Sequence, residues 1–197
     1  MSPRAPAMTP DERRAAIVAA ATPLLCQFGK DVSTRQIAES AGVAEGTLFR
    51  AFGSKEALIE AVLADAFDPL PIHSELLAID RDLPLRERMT AAIDVLQARL
   101  RGVFGLIFAL RMHRPPDHEK PRHGNLDANE MILSAMAWLL EPDAASLRYE
   151  PEEVARRIRL VTFSATHPLI SDGRPLAAGE IADLLLDGVR TNEPGDH

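Results

Sequence analysis

A chain of 197 residues, 46% apolar and 26% charged, falls in the ordinary globular class and is long enough to bury a core without staples. Its single cysteine, Cys26, excludes a disulfide framework and a cysteine-based zinc site, and a lone thiol suits a reducing compartment. The net charge of −7 argues against a nucleic-acid partner only until it is divided: residues 1–60 hold seven basic and seven acidic residues, so the whole deficit lies in residues 61–197, which permits a locally basic N-terminal face.

In chain order, Asp11, Glu12, Arg13 and Arg14 occupy the place of a signal peptide's apolar segment. No stretch approaches the ~18–20 apolar residues of a membrane span. A cytoplasmic protein without a membrane partner is expected. Thr9-Pro10-Asp11-Glu12 opens the first helix, with Thr9 as N-cap, Pro10 at the first helical position and Glu12 completing a capping box. That helix places Ile17, Ala21, Leu24, Leu25 and Phe28 on one face and ends at Gly29. Ser33 with Gln36 forms a second capping box for a short helix to Ser40. Ala41-Gly42-Val43 is a turn, and Glu45 to Phe52 a third helix. Gly53-Ser54 recaps the chain before a fourth, Lys55 to Phe67. Asp68-Pro69-Leu70-Pro71 reads as a break, followed by a short helix from His73 to Ile79. Beyond Pro84 a long pattern carries Met89, Ile93, Leu96, Leu100, Val103 and Ile107 on one face, with Gly102 and Gly105 as points of division. Residues 114–124 form a polar loop, and helices are expected over 125–140, 152–167 and 179–190. The fold class is therefore all-α, with an N-terminal helix-turn-helix domain at 1–53 and a helical sensing and dimerisation domain at 54–197, the helix from 55 connecting them.

The informative segment is Ser33 to Phe52, STRQIAESAGVAEGTLFRAF. Two short helices that cross steeply need a small residue at the contact (Ala38), a turn residue free to take positive φ (Gly42) and an apolar plug from the second helix (Leu48). The second helix then offers Glu45, Gly46, Thr47, Phe49 and Arg50 outward, a set able to enter a DNA major groove. An ordinary bundle hairpin has no reason to keep that register and cap both flanks.

With its flanks, from Ala16 to Leu63, the segment resembles the tetracycline-repressor (TetR) family of transcriptional regulators. The family pattern T-x-R-x-I-A, then A-G-V-x-x-G-T-L-[YF]-x-x-F-x-S-K-E-x-L, is matched here by STRQIA and AGVAEGTLFRAFGSKEAL. The resemblance implies a dimer that binds double-stranded operator DNA, answers a small-molecule effector and needs no cofactor. By the same resemblance Thr34 and Arg35 contact phosphate and an adjacent base edge, Gly46 allows close approach, and Thr47 contacts a phosphate or a thymine methyl. Arg50 bonds guanine, and Lys55 clamps a phosphate at the start of the fourth helix. The chain departs from the pattern at Phe49, where Tyr is usual, at Ala44, where a Ser N-cap is frequent, and at Ala51, where a larger residue is common.

Past residue 65 the resemblance is architectural. A pocket is expected near Phe104, Phe108, Met112, Asn129 and Met136, adaptable apolar groups with one amide. An amide satisfied by protein or water is the plainer account of Asn129. In the family the last two long helices form the dimer seam. Ile158, Val161, Ala165, Leu184, Leu185 and Gly188 are its candidates, from a helix with a second apolar side at Leu160, Phe163 and His167.

Other features have plainer readings. His113, His118 and His123 recur in a Pro-containing loop with Asp117 and Glu119, a spacing that presents no single ligand face, so no metal is assigned. Cys26 has no basic neighbour to activate it. Arg156, Arg157 and Arg159 follow Glu152 and Glu153 at pairing distance. No G-x-S-x-G, phosphate loop or H-E-x-x-H occurs, so no enzyme is expected. A repressor that needs no ligand is the alternative function.

Overall fold

The computed structural model describes residues 8–112 and 128–189. Among these residues it has nine α-helices and no sheet. Two compact units emerge: residues 8–67 with 105–112, and residues 68–104 with 128–189. The three histidines of the polar loop and Asn125 lie outside the described residues.

The first unit contains α1 (Pro10–Phe28), α2 (Thr34–Ser40), α3 (Glu45–Phe52) and α4 (Lys55–Ala66). Both capping boxes form as the sequence predicts. Thr9 Oγ1 accepts from the Glu12 amide at 3.2 Å while the Glu12 carboxylate accepts from the Thr9 amide at 2.7 Å, and Ser33 and Gln36 make the same exchange. Each box satisfies two amides that a helix start leaves without partners. Ile17, Ala21, Leu25, Ile37, Leu48, Leu58 and Val62 form the heart of the core. Phe28, expected on the same face, is 42% exposed. The helix breaks immediately after it, at Gly29, where φ is +58°.

Because α4 buries Leu58, Val62 and Leu63 in this core, the compact division falls after Phe67 rather than after Gly53. Residues 105–112 add Leu106 and Leu110 to the same core.

The second unit contains α5 (Pro69–Leu77), most of α6 (Leu85–Ala109), α7 (Ala128–Leu140), α8 (Pro151–Thr166) and α9 (Ala178–Val189). Two expectations are corrected here. Asp68-Pro69-Leu70-Pro71 is no break but the start of α5: Asp68 Oδ1 accepts from the Leu70 amide at 3.1 Å, and prolines in a first turn forfeit only amides that had no partner. Neither Gly102 nor Gly105 divides α6. A Cβ at Gly105 would stand 3.2 Å from the Cys26 sulfur, so the small residue makes room for a neighbour without ending the helix.

In this unit α7 packs against both α5 and α8, and α8 against α9. The buried stripe of α8 is Val154, Ala155, Ile158, Thr162 and Thr166. Its two threonines were invisible to a search for apolar periodicity. Gln97 of α6, 2% exposed, donates from Nε2 to Thr166 Oγ1 at 3.1 Å and to the Leu176 carbonyl at 2.9 Å, which offsets the cost of burying these polar groups.

Gly29 and Gly42 both take positive φ, +58° and +66°, but their surroundings differ. A Cβ at Gly29 would collide with the Ala109 carbonyl, whereas at Gly42 it would meet nothing within 4 Å. Gly42→Ala should therefore cost about 1 kcal/mol, the backbone cost alone, and Gly29→Ala distinctly more, about 2–3 kcal/mol. Urea unfolding of both variants checks the order; equal losses would mean that the contact with Ala109 carries no weight.

Candidate nucleic-acid interface

The helix-turn-helix is built from α2, the turn and α3. Ile37 and Leu48 are fully buried and Ala38 is 2% exposed, so the small residue sits at the helix crossing as its spacing implied. The Val43 amide returns to the Ala38 carbonyl at 2.9 Å across the turn. With its inner face held by Leu48 and Phe52, α3 leaves Glu45, Gly46, Phe49 and Arg50 exposed and Thr47 half-buried. Phe49, at 45% exposure, is a large apolar ring in water with no core to fill.

Thr34, Arg35, Arg50 and Lys55 each already have an intramolecular partner. Thr34 Oγ1 donates to Glu45 Oε1 at 2.5 Å and Arg35 Nε donates to Glu39 Oε1 at 2.9 Å. The Glu39 carboxylate, and Glu45 more weakly, raise the Arg35 pKa. Arg50 Nε donates to the Gly46 carbonyl at 3.2 Å. Lys55 Nζ donates to the Lys30 carbonyl at 2.6 Å, at the start of α4, where Ser54 caps the Ala57 amide. Exposed pairs of this kind contribute ~0–1 kcal/mol, so phosphates can replace them at little cost. Ala44, the N-cap of α3, makes no side-chain cap, as its departure from Ser requires.

The sequence reading missed two residues. An open groove of about 580 Å³ is lined by Pro10, Arg13, Arg14, Val43, Ala44, Thr47, Arg50 and Ala51. It joins the first turns of α1 to α3 and brings three arginines to one rim. The available signal was helical phase, since Arg13 and Arg14 stand one turn before Ile17 on the flanks of its buried stripe.

Residues 17–62 match the model of the bacterial regulatory proteins of the tetR family. A TetR transcriptional regulator from Streptomyces coelicolor is 26% identical with a TM-score of 0.61, over 91% of this chain and 99% of that one. Residues 17–62 are thus similar to the DNA-binding segment of that family, and the chain shares the fold of TetR regulators. The NalD protein of Pseudomonas aeruginosa, secondary repressor of a multidrug efflux pump, shares the fold at 23% identity and a TM-score of 0.51, over 94% of this chain and 100% of that one. A transcriptional regulator from a Rhodococcus species shares it at 18% identity and a TM-score of 0.58, over 91% and 99%.

The residues expected to form a pocket divide between the two units. Phe108 and Met112 belong to the first unit, Phe104, Asn129 and Met136 to the second. Phe104 is buried edge-on to Phe163 and His167, with ring centres 5.2 and 4.7 Å away. Met136, 1% exposed, borders a cavity of about 10 Å³ with Met89, Ala92, Leu139 and Ile158 among its walls, which holds at most one water. Asn129 is exposed and its Oδ1 accepts from Arg159 Nη1 at 3.4 Å, so its amide oxygen has a protein partner.

The seam candidates divide too. Ile158 and Leu185 are core residues, 1% and 8% exposed, whereas Leu184 is 60% exposed. Val161 and Ala165 are half-buried against the core, and Gly188 is exposed with open space around its Cα. Leu160 and Phe163 add exposed apolar surface, at 46% and 41%. Among the described residues no helix is long and apolar enough to cross a membrane, and no cluster of three metal-ligating side chains occurs. Burial raises the Cys26 pKa, the opposite of an activated thiol.

Two of the three arginines of α8 are paired by one acid. Glu153 accepts from Arg156 at 2.8 Å and from Arg157 at 2.9 Å, while Arg157 lies 3.6 Å over the Tyr149 ring. Hydrogen bonds from Arg156 and then Arg157 hold the Glu153 carboxyl down at about 2. A depressed carboxylate contributes stability above its unfolded value of 4.5 and loses it as pH falls toward 2. Glu153→Gln should therefore lower the thermal midpoint slightly at neutral pH and not at all at pH 2, compared by calorimetry or circular dichroism; an equal deficit at both would exclude these pairs as the cause.

At this surface Glu39 holds the Arg35 guanidinium that a phosphate would otherwise take. Glu39→Gln should tighten binding to a non-specific duplex about two- to fivefold, the scale of one exposed ion pair, and anisotropy at low salt reads it. Weaker binding would place Arg35 and Glu39 away from the DNA.

Proposed function

We propose that this chain is a TetR-family repressor that binds a palindromic operator as a homodimer and is released by a small apolar or amphipathic ligand. The observation that carries the reading is the outward set on α3. An eight-residue helix pinned from behind by Leu48 and Phe52 presents Gly46, Thr47, Phe49 and Arg50 to solvent. Thr34 and Arg35 stand at the start of α2 and Lys55 at the start of α4. That set holds a fork for guanine in Arg50, an apolar ring, a hydroxyl and a lysine at a helix N-terminus suited to phosphate. NalD, a repressor by its description, supports the sign of regulation by analogy of fold.

The dimer reading is supported by the exposed leucines and phenylalanine of α8 and α9, Leu160, Phe163 and Leu184. Val161, Ala165 and Gly188 complete this face, and Ile158 and Leu185 support it from within the core. A symmetric dimer would place two recognition helices ~34–36 Å apart for successive major grooves. A ligand would release DNA by favouring another spacing, typically through ~1–3 kcal/mol of coupling. The alternative reading is a repressor that needs no ligand. A ligand at the small cavity beside Met136 would require Met89 and Met136 to rearrange, and both side chains are suited to it.

Arg50→Ala should cost ~1–3 kcal/mol and relax preference at one operator position, whereas Lys55→Ala should weaken all duplexes alike and reduce the salt slope by ~0.9. Anisotropy titrations on matched and mismatched duplexes across salt make the comparison, and unchanged affinity in both variants would remove the DNA reading.

Leu160→Glu and Leu184→Glu should each yield monomer by sedimentation, fold intact, with operator affinity lost; Ile158→Glu should instead unfold the second unit, by several kcal/mol. Persistent dimers of both leucine variants would place the seam elsewhere.

A further inference from the structure

We infer that Arg14, on α1, is a positioning residue of the DNA-reading helix: it closes the C-terminal end of α3 and fixes the angle at which Thr47 and Arg50 are offered. The inference rests on the DNA reading proposed above and deepens it.

The need comes from α3 itself. Eight residues are fewer than a helix requires to persist alone, and this one lacks a side-chain cap at its start, because Ala44 has none to give. Its last carbonyls also lack partners within the helix. The Gly53 amide reaches Phe49 O at 2.8 Å, and the next turn is closed from outside, by Arg14 Nη1 donating to the Ala51 carbonyl. The same guanidinium lies 4.3 Å over the ring of Phe52, which is 8% exposed and part of the core. One planar cation thus makes two different contacts with the last two residues of α3, from a helix 37 positions away in the chain. Its positive charge sits at the negative end of the α3 dipole, while Arg50, the one basic residue of that last turn, spends its Nε on Gly46 O instead.

Two fixed points decide the orientation of a short rod. Leu48 anchors the middle of α3 and Phe52 its end, at 0% and 8% exposure. Arg14 covers the Phe52 ring and holds the Ala51 carbonyl, so the second point, at the end nearest Arg50, depends on it. Thr47 and Arg50 line the groove that Arg14 also lines, so a swing of the C-terminal end moves the base-reading side chains. Arg13, its neighbour, turns the other way and donates to the Met8 carbonyl at 3.0 Å. The two adjacent arginines therefore have separate tasks.

A positioning residue and a phosphate contact differ in what they take away when removed. Loss of a phosphate contact weakens every duplex and lowers the salt slope by ~0.9. Loss of a positioning contact weakens base reading and leaves the phosphate count alone. The experiment uses the full chain and a duplex enriched from a randomised pool by the wild-type protein, with a scrambled duplex of equal length as the non-specific probe. Arg14→Gln is expected to lose about tenfold in preference for the enriched duplex, with non-specific affinity, salt slope and helical circular dichroism unchanged. Phe52→Leu keeps the buried volume, removes the ring face, and carries the same comparison if Arg14→Gln melts early. The double variant should lose no more preference than Arg14→Gln alone, since the two groups act as one contact. A salt slope lowered by about one, equal losses on both duplexes, or an undiminished preference in Arg14→Gln and Phe52→Leu would each overturn the inference. Failure of the wild-type protein to enrich any duplex would instead overturn the DNA reading on which it rests.

Discussion

The reading helix is too short to hold its own shape, and the remainder of the first unit is arranged around that fact. Nucleating a helix costs more than its first hydrogen bonds return, so an eight-residue segment depends on tertiary burial. Here the burial is Leu48 at 0% exposure and Phe52 at 8%, set among Ile17, Ala21 and Leu25 of α1, Ile37 of α2 and Leu58 of α4. The capping boxes that start α1 and α2 hold the surrounding helices in register. Gly29, Gly42 and Gly53 take the positive φ that the chain reversals between these helices demand. Remove the plug and nothing local keeps the outward residues of α3 outward.

A second constraint is electrostatic. The chain carries a net charge of −7, yet the surface proposed to meet DNA holds Arg35, Arg50 and Lys55. Their charges are held by Glu39, Glu45 and backbone carbonyls rather than by deep ion pairs. Such partners keep long side chains ordered and yield readily to phosphate, because exposed pairs cost little to exchange. A surface of this kind can be locally cationic without making the protein as a whole adhere to every polyanion.

The second unit is organised on different terms. Among the polar groups in its core, Gln97 donates to Thr166, and Arg88, 3% exposed, donates to Asp143 and to the Arg81 and Leu83 carbonyls. Buried polar groups that find partners specify one packing of the helices. Against that order the exposure of Leu160, Phe163 and Leu184 stands out: these side chains are large, apolar and left in water on helices otherwise well packed, the surface expected where a second subunit is to be covered.

Much of the first unit was legible in the sequence because its signals are local. Capping residues three apart, glycines at chain reversals and an Ala–Gly–Leu register act within a few positions, and the order of helices, the turn and the outward set on α3 follow from them alone. The likeness to the TetR family was legible for the same reason, since its pattern is a record of those local demands. What tertiary structure decided involves residues far apart in the chain. Arg14 reaches Ala51 and Phe52, Gly105 gives room to Cys26, and Phe108 and Met112 belong to a different unit from Met136. Thr166 of α8 is buried with a partner, Gln97, that lies 69 residues away in the chain. Periodicity reports which face of a helix is apolar, but a helix with two such faces does not say which one the core will take; on α8 that choice fell to the packing of α7 and α9 around it, and it left Leu160 and Phe163 outside.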